Sequence, residues 1–401
     1  MVCSVPNLLR SPVRPVLGPV VQSLTHARRK GGGAWAPTLN SVKAFLDANN
    51  GADNPHSLSA MASPPTITTS TADEFANYPK IVTLATPSDV STYCLIEGGK
   101  QTLAATSFMQ PVVATMNEST TVKVASRISV TANADVVAFY VLGTTQAYRF
   151  LVDDQYVNFA GTVPAATTGT GSNYIILTFA SKAERKVTIE LQQGCAVRRV
   201  HIKNADNFGT KPEAKAHKGI VLGDSVTAST GATAFGDGYV PVAADHLGME
   251  MWPSGVGSTG YVNTASGTRY KLSERIGTDL DAFIADKGQP SIVTVAMGLN
   301  DLGLAGIQAE AETCFDIIRE KCPAALVFVV NTWDANAPSA VSADYNTAEA
   351  AIQAAVGSRG GFYFLNPEGT AYTKADSVHP NTEGHETLGL WLNTGIRASV
   401  A

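Results

Sequence analysis

Hydrophobic and polar positions change rhythm near residue 211. Before it, short runs alternate with period two: Val122 and Val124, Ile128 and Val130, Val187, Ile189 and Leu191, Val200 and Ile202. Such alternation turns one face to a core and the other to water, so each run predicts a half-buried strand. Gly143, Gly161 with Thr162, and Gly169 to Ser172 punctuate the runs as turns. Many short strands without an amphipathic helix predict an antiparallel β-sandwich, jelly-roll-like, over residues 73–206. Residues 207–218, with Lys211, Pro212, Glu213, Ala214 and Lys215 at their centre, read as a polar linker. After it, continuous apolar runs at 219–222, 249–252, 292–297, 326–330 and 362–365 alternate with helical stripes, the clearest being Ile276, Leu280, Phe283, Ile284 and Ala311, Cys314, Ile317, Ile318. Unbroken apolar strands with helices between them imply a parallel sheet covered on both faces. The class predicted for residues 219–401 is α/β, flavodoxin-like.

Residues 1–72 differ again. Pro6, Pro12, Pro15 and Pro19, the basic run Arg28, Arg29, Lys30 and the triplet Gly31, Gly32, Gly33 argue against a continuous helix and for a tether or docking segment. The absence of acid before Asp47 resembles a transit peptide, whereas the missing long apolar stretch argues against a secretory signal. Residues 57–71, rich in Ser, Thr, Ala and Pro, read as a linker.

Composition narrows the function classes. Of 401 residues 44% are hydrophobic and 16% charged, which excludes a disordered chain. A net charge of -5 offers no general attraction to nucleic acid or to anionic lipid. The apolar run at 16–21 is short and contains Pro19, so no membrane span is expected. Cys3, Cys94, Cys195, Cys314 and Cys322 show neither metal-ligand spacing nor a disulfide pattern and read as buried thiols. No metal and no cofactor is expected.

Doubly wound sheets carry their sites at the carboxyl ends of the strands. Three of those ends are loaded here: Gly223, Asp224, Ser225 after the first strand; Gly298, Leu299, Asn300, Asp301 after the third; and Asp376, Ser377, Val378, His379, Pro380 beyond the fifth. Each alone is ordinary turn or helix-start chemistry. Together, in strand order, they assemble a nucleophile, an amide donor, an imidazole and a carboxylate on one rim. A serine hydroxyl needs a base, for which His379 has the right reference pKa, and Asp376 is close enough along the chain to fix its tautomer. Asp224 and Asp301 read as structural acceptors for loop amides, and His385 as outside the chemistry. Trp252, Tyr261, Trp333 and Asp334 are candidates for lining an acyl or sugar pocket.

The region from Gly219 onward resembles the SGNH, or GDSL-type, serine hydrolase family. By that resemblance Ser225 is the nucleophile, His379 and Asp376 complete a triad, and Asn300 joins the backbone amides of Ser225 and a glycine in the oxyanion hole. That glycine lies within Ser254 to Gly260: Gly257 fits the Gly-Ser-Thr turn best, with Gly255 and Gly260 open. Val226 replaces the leucine of the name-giving motif. A β-sandwich followed by such a domain is similar to the two-domain carbohydrate O-acetylesterases, which implies removal of acetyl from a carbohydrate. The proline-rich start and the Ala/Thr/Gly/Ser-rich body are similar to phage tail-associated or cell-surface proteins. That likeness implies a surface polysaccharide as substrate, an extracellular or virion-associated location, and attachment through the amino-terminal segment. The alternatives are a lipase, lysophospholipase or thioesterase, and a non-catalytic carbohydrate-binding or virion-adhesion protein. All chemistry is expected in the carboxyl-terminal half, and polymer contact in the β-rich half.

Overall fold

In a computed structural model of the chain, the residues described are 34–49, 60–98, 101–103, 109–111, 126–169, 171–192, 194–333 and 342–401. Val122, Val124, Cys3, Asp334 and the prolines up to Pro19 lie outside them. The elements in chain order are helix α1 (Ala36–Ala48), strands β1 (Thr66–Ser70) and β2 (Lys80–Thr83), helix α2 (Pro87–Tyr93), and strands β3 (Cys94–Gly98), β4 (Gln101–Leu103), β5 (Met109–Pro111), β6 (Ser126–Val141), β7 (Arg149–Val152), β8 (Gln155–Tyr156), β9 (Tyr174–Leu191), β10 (Val197–Ile202) and β11 (Asn207–Phe208). There follow β12 (Lys218–Gly223), α3 (Tyr239–Leu247), β13 (Glu250–Gly255), α4 (Leu272–Lys287), β14 (Ile292–Ala296), α5 (Ile307–Lys321), β15 (Leu326–Val330), α6 (Ala343–Val356), β16 (Phe362–Leu365) and α7 (Thr382–Val400).

Strands β1 to β11 form an antiparallel sheet built on the long pair β6 and β9. The first half of β6 pairs with β3 and its second half with β10, and the register shifts between Ala134 and Val136. Likewise β9 pairs with β1 at its start and with β7 at its end. Across that shift β6 advances two residues and β9 five, and extra residues in a ladder bend the strand and increase its twist, so the two halves can close on each other. Ile128, Val130, Val187 and Ile189 from one half share a core with Val137, Phe139, Ile175 and Val200 from the other. The antiparallel sandwich expected from the alternation is therefore present.

The second sheet is parallel throughout, in the order β13-β12-β14-β15-β16. Helices α4, α5 and α6 pack on one face, around Leu280, Phe283, Phe315 and Ile352. Helices α3 and α7 pack on the other, around Val240, Leu247, Leu388 and Ile396. All five sequence-predicted strands and both apolar stripes occupy these elements.

The segment expected to be a tether departs from expectation. Helix α1 forms within it and seats Val42 and Leu46 against α3 and α7. Pro37 falls in the first turn, where its missing N–H costs no hydrogen bond, and no proline follows before Ala48. Arg397 of α7 donates to the Leu46 carbonyl at 2.8 Å and the Asn49 carbonyl at 2.7 Å, sealing the contact. Helix α1 thus belongs to the α/β layer although the β-rich region separates them in sequence. Strand β1 likewise takes up residues expected to be linker: its threonines favour an edge strand, but with Ile67 as its only large apolar residue it gives no alternation to read. At the far end, β11 pairs with β6, so the antiparallel sheet runs from Thr66 to Phe208 and the connection shrinks to residues 209–217. Cys94, Cys195, Cys314 and Cys322 are free and buried, as expected.

Candidate active site

Strand order reverses between β12 and β14, and the carboxyl ends of strands flanking such a switch point form a crevice. Ser225 leaves the end of β12 in a tight turn. Asp224 Oδ1 accepts the Val226 amide at 2.9 Å, and Val226 itself is buried under α3, so valine fills the position where the resemblance expected leucine. Beneath the turn, Arg275 of α4 donates to the Gly223 carbonyl at 2.7 Å and pairs with Asp279 at 2.5 Å, while Ser254 donates to Asp279 at 2.8 Å. These three were missed in the sequence. The signal was an Arg–Asp pair at i, i+4 lying inside the apolar stripe of α4 rather than on its polar face.

His379 and Asp376 arrive from the loop between β16 and α7. Their helix starts at Thr382 with Asn381 as its cap, the Asn381 side chain accepting from the Gly384 amide at 2.9 Å. His379 is therefore left in the loop, ahead of the helix. Its Nε2 lies 2.9 Å from Ser225 Oγ and its Nδ1 2.7 Å from Asp376 Oδ2. Asp376 Oδ1 accepts the Val378 and His379 amides at 2.8 and 2.7 Å. The hydrogen bond from the imidazole, then those two amides, hold the Asp376 carboxyl well below the usual carboxylate range even though it is exposed. With a carboxylate on Nδ1, the unprotonated lone pair of a neutral imidazole faces the serine hydroxyl.

Asn300 sits on the turn after β14, and its amide donates to the Thr259 carbonyl at 2.9 Å and to Asp224 Oδ2 at 3.3 Å. The turn needs Gly298, whose φ of 121° is closed to side chains and whose Cβ would run into Thr332. Asp301 is buried and accepts three consecutive amides, Tyr261, Val262 and Asn263, at 2.7 to 3.0 Å. Both acids are thus loop anchors. Burial pushes Asp301 up, and Asp224 up to about 6.

The three candidate glycines of the loop after β13 separate by what surrounds them. A Cβ on Gly255 would strike the backbone of Asp224 and Ala228, and one on Gly260 the Asp301 carboxylate. A Cβ on Gly257 would meet only Arg269 Nη1, at 3.1 Å, and Ser225 Cβ, at 3.6 Å. Gly257 is thus the glycine that faces the serine.

The aromatic candidates are not on the rim. Trp252 lies inside β13 and is 1% exposed, because a strand of a parallel sheet is covered on both faces. Tyr261 packs against Phe315, and Trp333 against Tyr239 and Trp391; both are core residues rather than pocket lining. His385 is fully buried, with Nε2 2.9 Å from the Thr230 carbonyl, beneath the segment that follows Ser225.

Residues 221–387 match the GDSL-like Lipase/Acylhydrolase family. No curated protein matches the chain. Among solved structures, a family two carbohydrate esterase from Clostridium thermocellum in complex with cellohexaose is similar at 14% identity and TM-score 0.57, over 77% of this chain and 99% of its own. A family two carbohydrate esterase from Cellvibrio japonicus is similar at 12% identity and TM-score 0.58, over 84% and 99%. A salicylyl-acyltransferase from a tetracycline biosynthetic pathway is similar at 14% identity and TM-score 0.57, over 80% and 98%. At such identities the likeness is one of fold, and it extends over nearly the full length of each of these three structures. Residues 221–387 form a GDSL-like lipase/acylhydrolase domain, preceded by an antiparallel β domain, and the chain is a carboxylic ester hydrolase.

Proposed function

We propose that this hydrolase removes a small acyl group, acetyl above all, from a carbohydrate, with Ser225 as nucleophile, His379 as base and Asp376 as the carboxylate that orients it. The observation that carries the reading is the unbroken run of hydrogen bonds from Ser225 Oγ through the His379 ring to Asp376. In the first half-reaction Ser225 Oγ adds to the ester carbonyl carbon while its proton passes to His379 Nε2. The oxyanion is met by the Ser225 and Gly257 amides and by the Asn300 side chain, one N–H of which turns from Asp224 Oδ2 to the oxyanion. Collapse expels the sugar alkoxide, which takes the proton from His379 and leaves an acyl-serine. Water then adds to that ester with His379 again as base, releasing the carboxylic acid and restoring the serine.

The carbohydrate half of the proposal draws support from the esterase folds above. Its setting is a surface polysaccharide met outside the cell or on a virion, and since α1 is built into the body, attachment falls to residues ahead of it. The deciding experiment compares acetate release from acetylated glycans with cleavage of p-nitrophenyl esters of rising chain length. Acetyl esters should be cleaved best, and activity should vanish in Ser225→Ala, which a fluorophosphonate probe should no longer label. A preference for octanoyl esters would replace this reading with a lipase. Full activity in Ser225→Ala would remove Ser225 from the chemistry.

A further inference from the structure

The β domain meets the α/β layer at α3 and the turn before it through a buried cluster of charges. Arg149 on β7 donates from Nε to Glu190 of β9 at 2.6 Å and from Nη1 to Asp237 at 2.5 Å. Asp237 belongs to the α/β layer, in a single 3-10 turn, Phe235–Asp237, just ahead of α3. Beside it Arg127 on β6 grips Asp245 of α3 with both terminal nitrogens, at 2.6 and 2.9 Å, and donates to the other Glu190 oxygen at 3.0 Å. Tyr156 adds its hydroxyl to Glu190 at 3.0 Å, with its ring 4.8 Å from the Arg149 guanidinium carbon. The Arg149 and Glu190 side chains are each 4% exposed. Gly236 allows the close approach, since a Cβ there would run into Arg149 and Glu190.

The segment so pinned is the one that leaves the serine. From Ser225 the chain runs through Thr227 and Thr230 to Asp237 and Tyr239. The Tyr239 hydroxyl is 2.7 Å from Thr227 Oγ1, two residues after the serine. The Tyr239 amide donates to His385 at 3.3 Å, and the other nitrogen of that ring holds the Thr230 carbonyl at 2.9 Å. Thr233 accepts Thr382 into the same set, joining the segment to the start of α7, which carries the His379 loop. A salt bridge this buried adds little net stability over a well-packed apolar contact, but it dictates one geometry.

We infer that the β domain is a working part of the ester-cleaving site, with Arg149 as a positioning residue that sets the Ser225 to Tyr239 segment through Asp237. The inference rests on the assignment of Ser225 and His379 above. The effect belongs to the chemical step: a shift of about 1 Å in reacting groups costs on the order of 100-fold in rate. Substrate binding is untouched, because Arg149 lies under the segment and not on the rim.

The experiment measures kcat and KM of the full chain on a small soluble acetyl ester for Arg149→Met, Arg149→Lys, Asp237→Asn and the control Arg185→Met. Arg185 is a β-domain arginine that donates to the Ala134, Ala183 and Ser181 carbonyls and lies over the Phe179 ring, all within its own sheet. Arg149→Met and Asp237→Asn should lose roughly ten- to hundredfold in kcat. Their KM should hold, and fluorophosphonate labelling of Ser225 should slow in step. Arg149→Lys, which keeps the charge facing Asp237, should recover part of kcat, and Arg185→Met should match the parent. Wild-type kcat in folded Arg149→Met or Asp237→Asn would overturn the inference while leaving Ser225→Ala to judge the nucleophile separately. A drop confined to KM, or failure of the lysine variant to recover any rate, would overturn it too. If Arg149→Met does not fold, Asp237→Asn decides, since Asp237 is the less buried partner.

Discussion

Asp224 is the residue next to the nucleophile, and it is fully buried as a carboxylate. Desolvation outweighs the Val226 amide and pushes its pKa from 3.8 up to about 6, so the folded protein binds this proton more tightly than the unfolded chain does. The stability it contributes is fully present below pH 3.8 and is lost as pH rises through about 6. Thermal melting from about pH 4 to 7 should therefore show the parent losing ground to Asp224→Asn as pH rises. Parallel curves would show that Asp224 is ionised at no cost. Asp376 is the opposite case. Exposed and bonded to the imidazole, it stays charged throughout that range, so its function is read by substitution: Asp376→Asn should leave the fold intact and lower kcat by about four orders of magnitude, as loss of the carboxylate does in other triads. Near-parental turnover would release Asp376 from the mechanism.

At the level of the loop after β13, Gly255, Gly257 and Gly260 make separable predictions. Gly255→Ala and Gly260→Ala place a methyl against backbone or against the Asp301 carboxylate and should each cost about 1–3 kcal/mol in stability, measured by denaturant unfolding. Gly257→Ala has room, so it should fold like the parent while losing turnover, because the methyl crowds the side facing Ser225. Equal destabilisation by all three would refute this division of roles. These glycines show where sequence reading ran out: the turn motif singled out Gly257, but only the backbone around each one distinguishes the three. The parallel strands were legible because unbroken apolar runs such as Leu326–Val330 have few other fates, and the placing of Ser225, Asn300, Asp376 and His379 beyond strand ends because each follows such a run. Strand β1 and helix α1 were not legible, since threonine-rich and proline-flanked stretches carry little periodicity and gain their order from contacts far along the chain. Trp252 and Trp333 misled because an aromatic near a strand end suits a core as well as a rim.

For the molecule as a whole, the expected division into a self-sufficient catalytic half and a separate binding half does not fit the packing. A chain beginning at Lys211 lacks α1, whose Val42 and Leu46 share a core with Leu247, Leu392 and Ile396, and lacks the arginines facing Asp237 and Asp245. Such a fragment should be poorly folded and nearly inactive even on a small ester, and adding a peptide of residues 34–49 should raise its solubility and melting temperature. A soluble fragment at full-length kcat would restore the independent-domain view. Helix α1 also sets an order of events during synthesis. It emerges ahead of every other described element, yet its hydrogen bond from Arg397 to Leu46 spans 351 positions, and at translation rates of about 5–20 residues per second that is a wait on the order of tens of seconds. The β domain, complete by Phe208, can close in that interval. The hydrolase layer cannot close until its last helix leaves the ribosome, so an esterase released early by truncation of α7 would be born without activity.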